Sequence, residues 1–155
     1  MGEPALREGF RSILANALAY NPAADIEGVL VAPMAKSGVE VIIGVAQDPI
    51  FGPVMMFGLG GIFVEVLKDV VFRAVPLSRS DAEEMLEQIA SSKILDGVRG
   101  NPPVNCGALV DLMLMVSTVV RAHPEIAEID LNPVIVRDDG YDVVDARMVL
   151  SSPTE

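Results

Sequence analysis

The residues best suited to chemistry lie in two acidic segments near the end of the chain, Glu128–Val134 and Asp142–Arg147. Both segments have the composition of strands, and the turn-forming residues between them predict a β-hairpin. Because side chains alternate between the two faces of a strand, Asp130 and Asn132 share one face. The register of the hairpin then decides whether Asp145 joins them.

Three simple turns could connect these two predicted strands. A two-residue loop at 138–139 puts Asn132 directly opposite Asp145. A loop centred on 139–140 puts Asp145 opposite Val134, which is still on the Asn132 face. A three-residue loop would place Asn132 and Asp145 on opposite faces unless a bulge intervened. Two of the three registers therefore gather Asp130, Asn132 and Asp145 into one oxygen-rich cluster.

Carboxylate and amide oxygens with no cysteine or histidine nearby suit a hard cation. Magnesium typically takes one or two protein carboxylates and completes its coordination with water and substrate phosphates. The cluster therefore indicates a nucleotide-linked magnesium site. The alternative is that acidic side chains on an exposed sheet face are simply solvated. Pro133 inside the first strand favours an edge or a bend, which suits a site better than a regular central strand.

A glycine-rich segment, Gly58-Leu59-Gly60-Gly61, could cradle a phosphate with its backbone N–H groups. It lacks the GxxxxGK[ST] and GxGxxG patterns, and a plain turn is the alternative. Lys68 and Arg73 are available as phosphate-binding cations or as solvated charges at a strand end. Glu40 interrupts an apolar strand, where a buried carboxylate needs a partner or a metal, unless it lies on an exposed face.

The elements that must position these residues follow from hydrophobic periodicity. Apolar residues at three- and four-residue spacing predict a helix from Leu6 to Leu18 that ends at Asn21-Pro22. The β-branched runs predict strands at Gly28–Met34, Val39–Ala46, Val54–Phe57 and Val70–Val75, with residues 35–38 as a hairpin turn between the first two. The coarse picture is an α+β fold, with one mostly antiparallel sheet flanked by helices.

Two further helices complete the predicted fold. Ser80-Asp81-Ala82-Glu83 has the spacing of a capping box and predicts a helix through Met85, Leu86 and Ile89. The stretch Ala108–Ala122 is apolar on nearly every side, which is typical of a buried helix. No internal repeat interrupts this order.

Composition excludes several classes of protein. A net charge of −11 and a pI near 4.4 argue against a nucleic-acid partner, because phosphate-backbone binders need a basic surface. A single cysteine, Cys106, and a single histidine, His123, exclude an internal disulfide and clusters of cysteine or histidine around a metal. The longest charge-free run, Pro49–Val64, is broken by prolines and glycines, so no membrane span is expected, and the acidic N-terminus is unlike a signal peptide. We therefore expect a cytoplasmic protein.

Six motifs in order resemble the ATP-grasp region of ADP-forming acyl-CoA synthetases, to which the succinyl-CoA synthetase beta subunit is related. The motifs are Gly28-Val-Leu-Val-Ala-Pro-Met34, Gly38-Val-Glu-Val-Ile-Ile-Gly44, Asp48-Pro-Ile-Phe-Gly-Pro53, Gly58-Leu-Gly-Gly61, Phe72-Arg-Ala-Val-Pro-Leu77, and Asp130-Leu-Asn-Pro133 followed by Asp145-Ala-Arg147. The resemblance implies an N-terminal helix and connection at 1–27, the C-terminal lobe of an ATP-grasp fold at 28–150 and a tail at 151–155.

The resemblance implies an enzyme that interconverts acid, CoA and ATP with acyl-CoA, ADP and phosphate, with ATP or ADP and Mg²⁺ as cofactors. Asn132 and Asp145 would then be magnesium ligands supported by Asp130. Arg73 would be a catalytic residue near the phosphoryl group. The implied nucleotide-binding residues are Val31, Ala32 and Met34 at the hinge that meets adenine, Glu40 on the phosphate side, and Gly60 and Gly61.

The resemblance also implies parts that this sequence does not contain. Residues 1–27 have no lysine, whereas the first ATP-grasp lobe of the family carries the lysines that grip the phosphates. The expected partners are therefore a lysine-bearing first lobe and the CoA-binding and phosphohistidine-bearing domains or subunit. The alternative is a non-catalytic regulatory or interaction module derived from an ATP-grasp domain, in which a self-associating apolar surface would make a homo-oligomer.

Overall fold

A computed structural model describes residues 2–61, 69–98, 100 and 102–151 of the chain. Its backbone contacts separate two compact units, Met1–Met34 and Ala35–Glu155. No helix in the described ranges is long and apolar enough to cross a membrane.

The first unit contains one helix, α1 (Glu3–Tyr20), which ends at the cap residue Asn21, as the sequence predicts. Proline in the first turn suits a helix start, because that N–H has no partner within the helix. No residue of α1 is buried within the chain. Its apolar stripe, which includes Leu6, Phe10 and Ile13, is about half exposed.

The strand predicted at Gly28–Met34 does not form, and neither does the hairpin turn at 35–38. Residues 28–38 have no regular secondary structure, and Leu30 and Met34 are almost fully exposed. The β-branched composition favours extended backbone, but a strand also needs hydrogen bonds from a neighbouring strand. The prediction of a first hairpin was therefore wrong, and the sheet begins one segment later.

In the described residues of the second unit, the strands form one six-stranded sheet. Its strands are β1 (Val39–Asp48), β2 (Gly52–Leu59), β3 (Val70–Ala74), β4 (Ile126–Arg137), β5 (Gly140–Val143) and β6 (Ala146–Leu150). The order across the sheet is β3-β2-β1-β4-β5, and β6 pairs with β4 beyond the end of β5. All neighbouring strands run antiparallel, which confirms the predicted fold class.

Two helices, α2 (Arg79–Gln88) and α3 (Cys106–Ala122), pack against one face of this sheet, with a short 3₁₀ turn at Ser92–Ile94 between them. Fully buried residues from both layers, including Ile43, Met55, Phe57, Met85, Leu109 and Met113, form the core. Along β1, Val41, Ile43 and Val45 point into this core. The alternate residues therefore lie on the opposite side, which we call the open face.

The capping box of α2 lies two residues earlier than predicted. The Ser78 side chain accepts from the Asp81 N–H, and the Asp81 carboxylate accepts from the Ser78 N–H. The sequence contains two overlapping Ser-x-x-acid patterns, at 78–81 and 80–83. The chain uses the first, because Leu77 is buried against α3 and the helix starts as soon as the chain leaves this contact.

Candidate functional site

A bulge in β4 shapes the centre of the candidate site. Val41 pairs with Val134 and Ile43 with Leu131, so β4 contains one more residue than β1 between these two pairs. The extra residue falls at Asn132-Pro133. Proline has no N–H to give to a ladder, so it is tolerated inside a central strand only where the pairing is interrupted. The predicted bend at Pro133 is present, and a bulge of this kind re-aims the neighbouring side chains.

The hairpin adopts the first of the three registers considered from the sequence. Arg137 pairs with Gly140 across a two-residue loop. The register continues without a shift past the end of β5, so that Asp130 pairs with Arg147 on β6. Between these pairs, the N–H of Asn132 donates to the carbonyl oxygen of Asp145 at 3.1 Å. Asn132 and Asp145 are therefore direct cross-strand neighbours.

A cavity of about 650 Å³ lies on the open face beside this hairpin. Asp130 and Asn132 line its polar side, and Ile42, Met56 and Phe72 contribute apolar surface. Asp145 lies beyond the edge of this cavity, opposite Asn132. The open face therefore combines oxygen ligands with an apolar floor, which is the usual composition of a small-molecule site.

The charges around Asp130 are unbalanced. Burial raises the pKa of Asp130 above its ordinary value, and the negative charges of Glu128 and Asp145 raise it further, while Arg147 opposes the shift. The Asp145 carboxylate is thus close enough to Asp130 to interact with it electrostatically. A cation placed between these oxygens would relieve the repulsion and would favour the charged form of the carboxylates.

The donor set fits a hard cation that keeps part of its coordination for other ligands. Among the described residues, no group of three or more histidine, cysteine, aspartate or glutamate side chains is close enough to hold a metal by itself. The cluster offers two carboxylates and one amide. Magnesium bound here would therefore take its remaining oxygens from water or phosphate, as it does in nucleotide sites.

Glu40 lies on the same open face and contacts the glycine-rich segment. The N–H of Gly60 donates to the Glu40 carbonyl oxygen at 2.7 Å. A Cβ added to Gly60 would lie 3.0 Å from the Glu40 Cβ, so a larger residue at position 60 would have to displace Glu40 by a few tenths of an ångström. Gly61 has a φ of +63°, and a Cβ there would lie 3.4 Å from Oε2 of Glu40. The Gly60 N–H is thus already used by the protein and is not free to cradle a phosphate.

Arg73 lies on the other side of the sheet. It pairs with Met55, which is fully buried under the helices. Its guanidinium donates to Gln88 at 2.8 Å and contacts Glu84 at 3.3 Å, both on α2. The structure therefore does not bring Arg73 to Asp130 and Asn132, and we leave it out of the proposed site. Lys68, the other candidate cation, lies outside the described residues.

The three residues predicted for the adenine hinge belong to the first unit. Val31 and Ala32 line a cavity of about 830 Å³ within that unit, beside Leu6 and Phe10 of α1. Met34 is almost fully exposed. They occupy irregular extended backbone instead of the predicted strand, and their role at a hinge stays a prediction.

Arg147 was missed as a functional candidate by reasoning from the sequence. It sits two residues after Asp145, and the register that places Asn132 opposite Asp145 also places Arg147 opposite Asp130. The spacing of Asp145 and Arg147 in the sequence already contains that signal. In the structure, Arg147 forms an ion pair with Glu128 at 3.4 Å.

Comparison with known proteins gives one consistent family. A family model described as an ATP-grasp domain matches residues 1–150. The chain is 51% identical over 144 residues to the beta subunit of acetate–CoA ligase [ADP-forming] I from Pyrococcus furiosus, and the match covers 93% of this chain and 62% of that subunit. It is 50% identical over 150 residues to acetate–CoA ligase [ADP-forming] I from Archaeoglobus fulgidus. That match covers 97% of this chain and 22% of the Archaeoglobus protein.

A solved structure has the same fold. The acetyl-coenzyme A synthetase 1 of Candidatus Korarchaeum cryptofilum, solved with coenzyme A and Ca-AMPCP, superimposes with a TM-score of 0.91 at 47% identity. The superposition covers 97% of this chain and 66% of that chain. The chain thus spans less than two thirds of the length of each of these relatives.

Proposed function

Because the chain belongs to the ATP-grasp domain family, we propose that it is the nucleotide- and magnesium-binding lobe of an ADP-forming acyl-CoA synthetase. The overall reaction converts acid, CoA and ATP to acyl-CoA, ADP and phosphate. The observation that carries the proposal is the pairing of Asn132 with Asp145 beside a cavity on the open face that Asp130 also lines. Similarity to acetate–CoA ligases supports the reaction class.

Within this proposal, Asp130, Asn132 and Asp145 hold Mg²⁺ at the hairpin. The ion supplies positive charge that neutralises the nucleotide phosphates and orients them. The protein side chains supply three hard oxygen donors, and the β4–β6 ladder fixes their spacing. Glu40, which lies on the same face and is held by Gly60, lines the phosphate side of the site. The apolar floor of Ile42, Met56 and Phe72 excludes water from one side of the bound nucleotide.

The remaining parts of the enzyme come from partners. A lysine-bearing first lobe closes over the phosphates, and CoA-binding and phosphohistidine-bearing domains or subunits complete the reaction. The His123 side chain is exposed, and its Nδ1 lies 3.0 Å from Oε1 of the exposed Glu125. We therefore assign His123 no catalytic role. The proposal therefore makes this chain one half-site of a larger synthetase.

Calorimetric titration of ADP and ATP, with and without Mg²⁺, tests the proposal. The titrations use the wild-type chain, Asp145→Asn and the matched control Asp138→Asn, which changes an exposed carboxylate in the turn of the same hairpin. We expect magnesium-dependent binding to the wild type and to the control. We expect Asp145→Asn to lose at least about 10- to 100-fold in affinity, because residues that only support a metal ligand already contribute that much. Equal binding by wild type and Asp145→Asn would contradict the metal assignment.

A second candidate, a non-catalytic interaction module, is favoured by a different observation. Ile50 and Phe51 project from the β1–β2 turn at 82% and 69% exposure. The Asp48 carboxylate accepts from the N–H groups of both residues, so the turn is rigid. Large apolar side chains on a rigid turn are typical of docking surfaces. Concentration-dependent self-association that Ile50→Ser/Phe51→Ser abolishes, together with no binding of Mg²⁺ or nucleotide, would favour this function over the first.

A further inference from the structure

Arg147 occupies the open face beside the acidic cluster. Its neighbours in β6, Ala146 and Met148, pair with Leu131 and Ile129, whose side chains pack into the core. Since side chains alternate along a strand, Arg147 points to the opposite side. Its contact with Glu128, which lines the cavity on the open face, agrees with this direction.

Of the three arginines on the described sheet strands, Arg147 is the most exposed and has the weakest side-chain contacts. The Arg73 guanidinium is bound by α2 on the other face of the sheet. Arg137 is 16% exposed and bonds both Asp139 at 3.0 Å and Asp142 at 2.8 Å. Arg147 is 68% exposed and makes a single ion pair at 3.4 Å, with the partly exposed Glu128. A solvated pair of this length contributes little to stability, so the guanidinium can change partner at low cost.

The balance of charges around the Arg147 guanidinium indicates which group it would bind when a cation is present. Arg147 pairs with Asp130 across the ladder and forms an ion pair with Glu128, and Asp145 lies two residues before it in the chain, so three acidic residues adjoin it. A divalent ion bound to Asp130, Asn132 and Asp145 would neutralise the carboxylates at the centre of this group. The guanidinium would then face the phosphate oxygens that complete the coordination of the ion. Its planar fork of N–H donors matches two oxygens of one phosphate group.

We propose that Arg147 is a phosphate-binding cation of this lobe, and that it leaves Glu128 to contact the terminal phosphate group of the nucleotide once the metal is bound. This inference rests on the proposed magnesium site and assigns to Arg147 the role that the sequence predicted for Arg73. It makes nucleotide binding depend on Arg147 in a way that binding of the metal alone does not.

The test compares binding of Mg²⁺ alone, of Mg·ATP and of Mg·tripolyphosphate to the full chain by calorimetry. The variants are Arg147→Gln, Arg147→Lys and the control Arg79→Gln, which removes an exposed arginine paired with Asp111 on the helix face. We expect Arg147→Gln to bind Mg²⁺ alone at least as tightly as the wild type, because a competing positive charge is removed. Its affinity for Mg·ATP and for Mg·tripolyphosphate should fall about tenfold or more, the range for losing hydrogen bonds to a charged group.

The lysine variant should be intermediate, since it keeps the charge but loses the fork. The control should match the wild type with all three probes. Wild-type affinity of Arg147→Gln for Mg·ATP would overturn the inference, and so would an equal loss for Mg²⁺ and Mg·ATP. Failure of the proposed function has a different signature: the wild type would bind no Mg²⁺, or Asp145→Asn would bind it unchanged.

Discussion

The N–H of Asn132 on β4 donates to the carbonyl oxygen of Asp145 at 3.1 Å, although a turn separates the two residues and Asp145 lies between β5 and β6. This bond belongs to the ladder that continues to the pair Asp130–Arg147. Of the candidate metal ligands, Asp130 lies within the paired part of β4, Asn132 lies at the bulge, and Asp145 lies in the two-residue gap between β5 and β6. Backbone hydrogen bonds from Asn132 to Asp145 and from Val144 to Pro133 hold this irregular part in register, and oxygen ligands of a small cation need such precise placement.

Exchanging two adjacent residues tests this geometry without changing composition. In the double variant Asp145→Ala/Ala146→Asp, the carboxylate moves by one position and so to the other face of the strand. Ala146 is exposed, so an aspartate is tolerated there. We expect Mg²⁺ binding to fall as far as in Asp145→Asn while the melting temperature changes little. Calorimetry measures Mg²⁺ binding, and circular dichroism measures the melting temperature. Retained Mg²⁺ binding in the double variant would show that net charge alone attracts the ion.

The capping serine of α2 can be identified by two alanine substitutions. Ser78→Ala removes the side chain that accepts from the Asp81 N–H and should lower the free energy of unfolding by about 1 kcal/mol. Ser80→Ala removes the hydroxyl of the serine that the sequence pattern favoured as the cap. This substitution should change the free energy of unfolding by less than about 0.5 kcal/mol. Urea denaturation of both variants decides the matter. A larger loss in Ser80→Ala would contradict the observed helix start.

Acid should weaken the same cap. Hydrogen bonds from the hydroxyl and the N–H of Ser78 hold the pKa of Asp81 below its ordinary value. The unfolded chain has an aspartate pKa of about 3.9. The carboxylate therefore contributes its full stabilisation above that pH, and the contribution is lost as the pH falls through the lower folded value. Asp81→Asn should be less stable than the wild type at neutral pH, and urea titrations down to about pH 3 should show this difference shrinking.

A buried hydroxyl connects α3 to the segment between β3 and α2. The Ser117 side chain is the one buried polar side chain among the described residues, and its Oγ accepts from the Leu77 N–H at 3.1 Å. Ser117→Ala leaves that N–H buried without a partner and should cost about 1–3 kcal/mol in the free energy of unfolding. Thr118→Ala is the matched control, because the exposed Thr118 hydroxyl bonds only the Leu114 carbonyl of its own helix. Similar losses in the two variants would argue against the Leu77 contact.

Some features of this protein follow from the sequence by itself. The spacing of apolar residues determined α1 and α3, and the β-branched runs determined three of the strands, β1, β2 and β3. The hairpin itself was also predictable from its turn residues, but three registers stayed open, and the structure adopts the two-residue loop that places Asn132 opposite Asp145. The motif Asp130-Leu-Asn-Pro133 and its downstream partner Asp145 were recognisable from their resemblance to ADP-forming acyl-CoA synthetases.

Other features were decided only by the tertiary structure. The apolar segment Gly28–Met34 is not a strand, because pairing depends on a neighbour that local composition does not specify. The face on which Arg73 and Arg147 lie depends on which strands are paired and on the bulge at Asn132-Pro133, and both result from contacts between distant parts of the chain. The sequence therefore determined which groups could bind a metal and phosphate, and the packing of the sheet against its helices decided which arginine lies beside them.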